Sequence, residues 1–427
     1  MVTTKEEQQV VPDQKQKRTY PFVAFRYSNY RLFWVGNAFS NIGIWVLMAG
    51  RLWLMHLLTD SPLMLGLVAF CGLGPTLILS MWGGVVADRV NRMRLVTMTR
   101  GAFAVTALFT GLLIVTEVIE PWQLLTISLV NGVLLSFDIP SRQAIIPNLV
   151  PAEHLMNAVV LQSLVSASAT VLGPFLFAPL VFWLDIEGVF FFVAAMYVLT
   201  TIFFAIVDPT DHIARSKTSR PWNDLIEGFA YMWQQKTILS LVALGVIVGL
   251  FGSSLGTLLP IFAELLGEGV QTYSNLLLSM GIGGFAATVV LAFWGRMKDS
   301  ARLQLISGVS LGICLVVFAL TDSLLIAAPV ILLVGGFGSC LGIINNTLVQ
   351  SMVSNDFRGR VMSVYMLGWG SSALGALLVG FLAQQIDPRF ALALAGVTLM
   401  VGSAVFTTLS MRTMGTQVAL GPQSPTQ

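Results

Sequence analysis

The sequence predicts an all-α integral membrane protein with twelve transmembrane helices arranged as two six-helix halves. The prediction rests on low charge, long apolar stretches and a one-sided distribution of basic residues. Of the 427 residues, 56% are hydrophobic and only 10% are charged, and the mean hydropathy is +0.81. Soluble globular domains carry about 25% charged residues. This chain is therefore too apolar to be a soluble enzyme.

Charge and cysteine content exclude several function classes. The net charge is +2, so no basic field for a phosphate backbone is available and no nucleic-acid partner is expected. The three cysteines, Cys71, Cys314 and Cys340, lie in apolar stretches, which argues against a disulfide framework. The sequence contains neither a His-Glu-x-x-His run nor a phosphate-binding Gly-x-x-x-x-Gly-Lys-Ser/Thr loop. We therefore expect no bound metal, no cofactor and no enzymatic activity.

Apolar stretches of roughly 20 residues, enough to cross a bilayer, divide the chain into five parts. A polar cytoplasmic tail covers residues 1–33, and a six-helix bundle covers 34–207. A cytoplasmic linker follows at 208–236, then a second six-helix bundle at 237–411 and a cytoplasmic tail at 412–427. The twelve stretches begin near Trp34, Leu63, Leu95, Pro121, Leu155, Gly188, Ile238, Tyr273, Leu303, Leu324, Gly359 and Phe390.

The linker itself contains a helical pattern. Trp222, Ile226, Phe229 and Trp233 recur at helical spacing, with polar residues such as Glu227 between them. This periodicity predicts an amphipathic helix that lies on the inner membrane face. The alternative is a linker whose helix only caps the bundle.

Basic residues predict the orientation of the chain. Of the 23 lysines and arginines, Arg389 falls in an outer loop and Arg51 falls within the first span. The remaining 21 fall on the side that also holds both termini. Basic residues concentrate on the cytoplasmic side of membrane proteins. Both termini are therefore predicted to be cytoplasmic.

The two halves carry a weak internal repeat. The segment GVVAD (84–88) matches GRMKD (295–299), and Arg94 then corresponds to Arg302. A second match joins NLVPAE (148–153) with SMVSND (351–356). A parallel repeat of six helices is a transporter architecture, in which the substrate site lies between the halves near the middle of the membrane.

The loop after the second span resembles a known signature. Residues 83–94, GGVVADRVNRMR, resemble the Gly-x-x-x-Asp-Arg-x-x-Arg-x-x-Arg/Lys signature of the major facilitator superfamily. The segments LLTDSPLMLGLVAF (57–70), PSRQAIIPNLVPAEHLMNA (140–158) and FRGRVMSVY (357–365) resemble the branch that contains the enterobactin exporter and macrolide efflux proteins. The resemblance implies a major facilitator fold in a prokaryotic cytoplasmic membrane. It also implies export of an amphipathic small molecule, such as a siderophore or antibiotic, by proton antiport.

Several alternatives remain open at the level of sequence. Within transporters, these are import of a vitamin-like or other small organic solute, and movement of a lysolipid. Outside transporters, they are a membrane enzyme and a non-transporting sensor or scaffold. The expected partners are the small-molecule substrate, protons as the coupling ion and the lipid bilayer. A monomer is expected, because one chain encloses its own cavity.

The signature residues are candidates for a gate. Gly84 is expected to let two helices approach closely. Asp88 is expected at the inner end of the second span, facing a helix N-terminus or pairing with Arg89 or Arg92. The resemblance implies a latch between this loop and the eleventh span.

The second half offers further candidates for the latch. Asp299 is the counterpart of Asp88, and Arg358 and Arg360 are possible partners for either aspartate. The alternative for all of these loop charges is simple solvation.

Two further groups lie near the inner side. Asp138 and Arg142 fall between spans four and five, where they form either an inner charge network or a solvated loop. Gly173 and Pro174 lie inside span five, where the proline is expected to kink the helix. Family antiporters carry a longer glycine motif here, of which this chain keeps only the Gly-Pro core.

Arg51 is the basic residue placed well inside a span. It lies 17 residues past Trp34, or roughly 25 Å along a helix, in the outer third of the bilayer. It is predicted either to bind an anionic substrate group or to reach the outer headgroups or Glu264. No carboxylate is predicted in the middle third of any span, so proton coupling would fall to Asp88, Asp138, Glu264 or His56, or else another ion or gradient drives transport. The other candidate cavity residues, chosen as polar groups within spans, are Asn37, Asn41, Gln162, Asn345 and Asn346.

Overall fold

The computed structural model describes residues 22–208, 221–252, 254–267, 269–294, 299–354 and 357–419. Within these ranges the chain is almost entirely helical and contains no strand. Ten helical segments are long and apolar enough to cross a membrane, and one of them, residues 152–206, is long enough to cross twice. Helix α12 (Arg358–Gln385) completes the set of long helices. The predicted all-α membrane fold with two six-helix halves is confirmed.

Helices α1 to α5 form the first half. They are α1 (Ser28–Leu58), α2 (Pro62–Arg89), α3 (Arg92–Val115), α4 (Pro121–Leu149) and α5 (Leu155–Ile206). The backbone of α5 leaves helical geometry at Asp185, where φ is 56°. The chain reverses there, because Leu161 and Phe204 both return to the start of α1: the Trp34 indole donates to the Leu161 carbonyl at 3.1 Å, and the Phe33 and Phe204 rings lie 5.2 Å apart. Helix α5 therefore holds the fifth and sixth crossings.

Helix α6 and the second half follow. Helix α6 (Pro221–Gln234) lies where the sequence predicts an amphipathic helix. The second half consists of α7 (Lys236–Ile247), α8 (Ser254–Leu266), α9 (Gly269–Trp294), α10 (Ser300–Ala319), α11 (Leu324–Met352), α12 and α13 (Pro388–Ala419). We call the end of the bundle that holds α6 and the ends of α2 and α4 the linker side. The opposite end, where α1 ends and α2 begins, is the far side.

Short turns join the first helices, and side chains at the helix starts cap the free backbone amides. Ser61 caps α2 by accepting from the Met64 amide at 3.4 Å, and Pro62 occupies the first helical position, where no donor is lost. Asn91 caps α3 in the same way. Glu120 and Gln123 form a reciprocal capping box at α4. The helix termini therefore need no long loops to satisfy their backbone groups.

Glycines set the closest helix contacts within each half. A Cβ atom at Gly132 of α4 would lie 2.5 Å from the carbonyl oxygen of Cys71 in α2. In the second half, a Cβ atom at Gly335 of α11 would lie 1.9 Å from the carbonyl oxygen of Met280 in α9. The repeat matches Gly132 with Gly335. The two halves therefore share the same backbone-to-backbone contact, of the kind that small residues permit in membranes.

The seventh crossing is interrupted, although the sequence predicts one continuous span beginning near Ile238. Between α7 and α8 the chain makes a π-helical turn at Val248–Gly252. This turn meets α12 closely, since a Cβ atom at Gly375 would lie 1.9 Å from the Leu250 carbonyl oxygen. A π-turn widens a helix locally and is frequent at functional sites. Apolar composition alone does not distinguish such a turn from regular α-helix.

Candidate functional site

A charged cluster lies inside the first half. Arg100 of α3 donates through Nη2 to Asp138 of α4, and both side chains are fully buried. The second carboxylate oxygen of Asp138 accepts from the Thr99 hydroxyl at 3.2 Å. Arg142 lies one turn further along α4, with its Nε 3.5 Å from Asp138 Oδ2. We call Arg100, Asp138 and Arg142 the charged cluster; two guanidinium groups share one carboxylate.

Helix α1 contacts this cluster through an asparagine. Arg142 Nη1 donates to Asn37 Oδ1 at 3.3 Å, and Asn37 is fully buried. The Asn37 amide nitrogen donates in turn to the Phe33 carbonyl at 3.1 Å, and Asn41 donates to the Asn37 carbonyl at 2.7 Å. The predicted cavity residues Asn37 and Asn41 therefore lie together. Their amide nitrogens donate to backbone carbonyls of α1, while the Asn37 side-chain oxygen accepts from Arg142.

The structure corrects the predicted depth of these charges. Asp138 lies within the 29-residue α4 and is fully buried, so it is not in a solvated loop. It lies 17 residues past Pro121, or roughly 25 Å along the helix, so the expectation that no carboxylate occupies the middle third of a span stays a prediction. Arg100 is likewise buried within α3, so Arg51 is not the one basic residue inside a span. The cause is helix length: 29 residues rise about 44 Å, against a bilayer core of about 30 Å.

Aromatic rings enclose Arg100. Its guanidinium carbon lies 5.4 Å from the Phe103 ring centre and 5.5 Å from that of Tyr197, within the range of cation–π attraction. Three buried donors here find no hydrogen-bond acceptor among the described residues: Nε and Nη1 of Arg100 and the Tyr197 hydroxyl. The charged cluster therefore has more hydrogen-bond donors than acceptors, because two guanidinium groups share one carboxylate.

Arg51 is buried in a second location within the first half. It is 7% exposed. Its guanidinium packs on Gly72 of α2, where a Cβ atom would lie 2.5 Å from Nη1. The alternative predicted pairing with Glu264 is absent among the described residues. Instead, His56 Nε2 lies 3.0 Å from Glu264 Oε1. Arg51 therefore packs against α2 and is not paired with the far-side acid Glu264.

Among the described residues, the corresponding interior of the second half contains no buried charged side chain. Gln304 of α10 donates to Asn345 of α11 at 2.7 Å. The Asn345 amide donates to the Leu241 carbonyl at 3.1 Å and faces the Tyr365 hydroxyl at 3.4 Å. Asn346 accepts from Gln350 at 2.5 Å and also hydrogen-bonds with the Tyr365 side chain. Both predicted asparagines therefore contact Tyr365 of α12, and Asn345 also joins α10, α11 and α7.

The two halves meet at the far side. Tyr273 of α9 is fully buried between α1 and α5. Its ring stacks on Trp53 at 5.3 Å and meets the Phe177 ring edge-on at 5.7 Å, and its hydroxyl donates to the Ala49 carbonyl at 3.3 Å. We call this set, together with the His56–Glu264 pair, the far-side closure.

Helices α2 and α12 extend this contact between the halves. The Ser61 hydroxyl donates to Gln384 at 2.7 Å. A Cβ atom at Gly66 would lie 2.6 Å from the Ala376 carbonyl oxygen. Deeper in the bundle, a Cβ atom at Gly281 of α9 would lie 2.4 Å from the Thr170 carbonyl oxygen of α5. These contacts run from the far side to the middle of the bundle.

The signature loop agrees with the prediction only in part. Gly84 does not mediate the predicted close approach, because a Cβ atom there would meet nothing within 4 Å. A Cβ atom at its neighbour Gly83 would lie 2.2 Å from the Ser136 carbonyl oxygen of α4, so Gly83 permits the close approach. Arg92 Nη1 donates to the Ala144 carbonyl at 3.2 Å, and Arg89 is exposed. The side chain of Asp88 lies outside the described residues, so its pairing stays a prediction.

The counterparts in the second half lie apart from one another. Asp299 Oδ2 lies 3.9 Å from Arg302 Nη1, and both side chains are about three-quarters exposed. Arg360 Nη1 lies 2.8 Å from Glu227 of α6. The ring of Tyr231 in α6 stacks on Phe357 at 4.4 Å. Helix α6 is therefore fastened to the start of α12. The Arg358 side chain lies outside the described residues.

The remaining predicted residues lie on α5. A Cβ atom at Gly173 would lie 2.4 Å from the Trp45 Cβ of α1, so this glycine permits a close contact between the two helices. Helix α5 continues through Pro174, and the kink predicted there stays a prediction. The Oε1 atom of Gln162 is buried and has no hydrogen-bond partner among the described residues.

Four interior residues are not among the candidates predicted from the sequence. Arg100 is counted with the basic residues of the cytoplasmic loops, because it lies only a few residues past the start of the third apolar stretch. Tyr197, Tyr273 and Gln304 carry no motif. Their roles depend on contacts with other helices, and a single sequence does not encode those contacts locally. The repeat gives no signal for Arg100 either, because the matching position in the second half is Gly308.

Comparison with protein families gives one clear match. The sequence profile of the transmembrane secretion effector family matches residues 19–424. The chain is 26% identical to the staphyloferrin A transporter of Staphylococcus aureus over 377 residues, covering 86% of this chain and 92% of that protein. It is 24% identical to the enterobactin exporter of Salmonella typhimurium over 356 residues, covering 81% and 84%.

Comparison with solved structures shows the fold. A point mutant of the nucleoside transporter NupG superposes with a TM-score of 0.76 at 12% identity, covering 90% of this chain and 100% of that one. A bacterial homologue of the lysosomal transporter Spinster, in an inward-facing and unoccupied conformation, gives a TM-score of 0.74 at 15% identity. That comparison covers 96% of this chain and 100% of the other.

Proposed function

The chain belongs to the transmembrane secretion effector family of the major facilitator superfamily, and on this premise we propose that it exports an amphipathic small molecule from the cytoplasm by alternating access. It is a membrane transporter and not an enzyme. The proposed substrate is a siderophore, an antibiotic or a compound of similar character. Relatives named as the staphyloferrin A transporter and the enterobactin exporter support this substrate class.

The far-side closure is the observation that carries the proposal. It joins the halves by side-chain contacts that can separate: one contact between His56 Nε2 and the half-exposed Glu264 carboxylate, one aromatic ring and one hydroxyl-to-carbonyl bond. In alternating access, one half rocks against the other around a central site. We infer that in this structure the two halves are closed against each other at the far side.

The distribution of basic residues supports the orientation. We propose that the linker side is cytoplasmic, because 21 of the 23 basic residues fall on that side in the predicted topology. Both termini are then cytoplasmic, in the cytoplasmic membrane of a prokaryote. We also propose that the protein acts as a monomer and that Asp88 and Arg358 belong to a latch on this side.

We propose proton antiport, with Asp138 as the proton-binding carboxylate. Asp138 holds both Arg100 and Arg142. Protonation would remove the negative charge that keeps the two guanidinium groups in place. Ionisable groups buried within membrane spans commonly mark proton relays. One proton could therefore change the contacts among α3, α4 and α1, since Arg142 also binds Asn37.

The test follows the cellular accumulation of a labelled catecholate, a macrolide, a cationic dye and a flavin. Cells express the wild type, Asp138→Asn or Asp299→Asn, with and without a protonophore. Asp299 is the matched control, because it is an exposed carboxylate of the same chain. We expect the wild type and Asp299→Asn to lower the accumulation of at least one compound. Asp138→Asn and the protonophore should abolish the effect.

Other results would correct the proposal in defined ways. Higher accumulation with the wild type would show import. Export that survives the protonophore would contradict proton antiport while leaving export intact. Export by Asp138→Asn at the wild-type rate would remove Asp138 from the coupling step.

A further inference from the structure

We propose that Arg51 binds an anionic oxygen group, most simply a carboxylate, of the transported molecule. The inference rests on the proposed function as a small-molecule exporter and names the chemistry of its substrate. It depends on three features of the structure: the burial of Arg51, the engagement of nearby acids elsewhere, and buried donors without acceptors.

The first feature is a buried cation without a counter-ion. Arg51 is 7% exposed, and no described carboxylate lies within salt-bridge distance of it. A buried guanidinium is costly unless it is paired and hydrogen-bonded. Gly72 leaves the space that the guanidinium fills, since a Cβ atom there would lie 2.5–2.8 Å from Nη1, Nη2 and Cζ. The fold therefore accommodates this cation without neutralising it.

The second feature is that nearby acids are already engaged. Glu264, the acid predicted to pair with Arg51, lies 3.0 Å from His56 instead. Asp138 is shared by Arg100 and Arg142. The interior of the first half thus holds three guanidinium groups, of which Arg100 and Arg142 share Asp138 and Arg51 has no described carboxylate. The excess positive charge favours an anionic ligand and disfavours a cationic one.

The third feature is a pair of donors without acceptors. Arg51 Nε has no hydrogen-bond partner among the described residues, and neither has the Tyr197 hydroxyl. The two side chains lie within electrostatic range of each other. Buried donors are ordinarily satisfied. An oxygen anion supplies several strong acceptor positions at once, so a carboxylate bound at Arg51 would give Nε the acceptor that it lacks.

The position of Arg51 links this site to the far-side closure. Trp53, two residues further along α1, stacks on Tyr273. Arg51 lies two residues before Trp53, on a different face of α1 from the aromatic contact, and seven residues before the far-side end of that helix. We infer that a ligand held there leaves once the far-side closure separates.

Cys71 provides a test that does not need the natural substrate. Its thiol lies within electrostatic range of Arg51 and is partly exposed. In a Cys314→Ser, Cys340→Ser background, the purified full-length protein in detergent is treated with anionic sulfonatoethyl or cationic trimethylammonioethyl methanethiosulfonate. The two rates of modification are measured by mass spectrometry. Their ratio is divided by the same ratio for a free thiol in solution.

We expect the normalised ratio to favour the anionic reagent by at least about tenfold. Arg51→Gln should bring it close to unity, whereas Arg51→Lys should keep most of the preference. A ratio near unity in the wild type, or a ratio unchanged in Arg51→Gln, would overturn the proposal. So would a Cys71 that reacts with neither reagent, because anions from the linker side would then not reach Arg51.

This measurement is independent of the transport assay. Accumulation assays test export, and thiol modification tests only the charge of the site. A protein that exports a compound but shows no anionic preference at Cys71 would keep the proposed function and lose the anion site. Size-exclusion profiles of each variant establish that the compared proteins are folded.

Discussion

The α3–α4 pair of the first half and the α10–α11 pair of the second half occupy the same place in the repeat but differ in chemistry. The repeat matches Arg100 with Gly308 and Asp138 with Leu341. In the second half these matched positions are also neighbours, since a Cβ atom at Gly308 would lie 3.6 Å from Leu341 Cδ1. A buried ion pair in one half thus replaces an apolar contact in the other.

A third matched position shows what the repeat preserves. Arg142 corresponds to Asn345, and each joins its own helix to the first helix of its half: Arg142 to Asn37 of α1, and Asn345 to the Leu241 carbonyl of α7. The repeat therefore preserves helix geometry and the position of a polar connection. It does not preserve charge. The charged chemistry of the interior belongs to the first half.

The largest effect is expected from breaking the ion pair on one side. Asp138→Leu, which installs the residue of the second half, leaves Arg100 buried without a counter-ion. We expect a loss of about 3–5 kcal/mol in the free energy of unfolding, seen as a lower thermal midpoint in detergent. Arg100→Leu combined with Asp138→Leu should recover part of the loss, because Arg142 still lacks the carboxylate that it shares with Arg100. A stable single variant would show that the pair is not needed for the fold.

The shared geometry is tested next, with matched glycines. Gly132→Val and Gly335→Val each place side-chain atoms against a backbone carbonyl of the neighbouring helix. Both should destabilise their half by about 1–3 kcal/mol. The control is Gly342→Val, where a Cβ atom meets nothing within 4 Å. The measurement is the thermal midpoint of each variant. A lowered midpoint for only one of Gly132→Val and Gly335→Val would contradict the structural match between the halves.

The neutral network of the second half should be less critical. Asn345→Ala removes the contacts with Gln304, Tyr365 and the Leu241 carbonyl. We expect a loss of about 1–2 kcal/mol, because neutral hydrogen bonds contribute little net energy but leave costly unsatisfied groups when broken. A loss equal to that of Asp138→Leu would contradict the contrast between the two interiors.

The smallest effect is expected at the exposed pair. Asp299→Asn removes the contact with Arg302, in which both side chains are about three-quarters exposed. Such a pair contributes less than about 1 kcal/mol and is screened by salt. The thermal midpoint should therefore stay unchanged at low and at high salt. A clear destabilisation would show that the second signature loop carries a structural contact of its own.

The sequence was sufficient to predict the spans, because a bilayer requires long apolar stretches. It placed the start of each crossing near the observed helix start and located α6 from its periodicity. It did not predict the depth of Asp138, because α4 runs past the length that a bilayer requires and continues through Pro140 and Pro147. Composition sets the minimum length of a span, whereas packing against other helices sets where the helix ends.

The candidate site was harder to predict for a related reason. The polar residues within spans were visible in the sequence, and Asn37, Asn41 and Asn345 do lie in buried networks. Their partners were not visible, because Arg142 and Gln304 come from other helices far along the chain. Tyr273 acts through its fit between α1 and α5. Such a fit exists only after the halves have packed.

The burial of Arg100 also has a consequence for biosynthesis. On the scale of translocon-mediated insertion, an arginine or aspartate at the centre of a helix costs roughly 2.5–3.5 kcal/mol. Helices α3 and α4 each carry one such residue, and the two residues neutralise each other. The helices are consecutive, so the partner of Arg100 emerges from the ribosome 38 residues later. Entry of the two helices into the lipid as one hairpin avoids both costs, whereas α10 and α11 have no such reason to enter together.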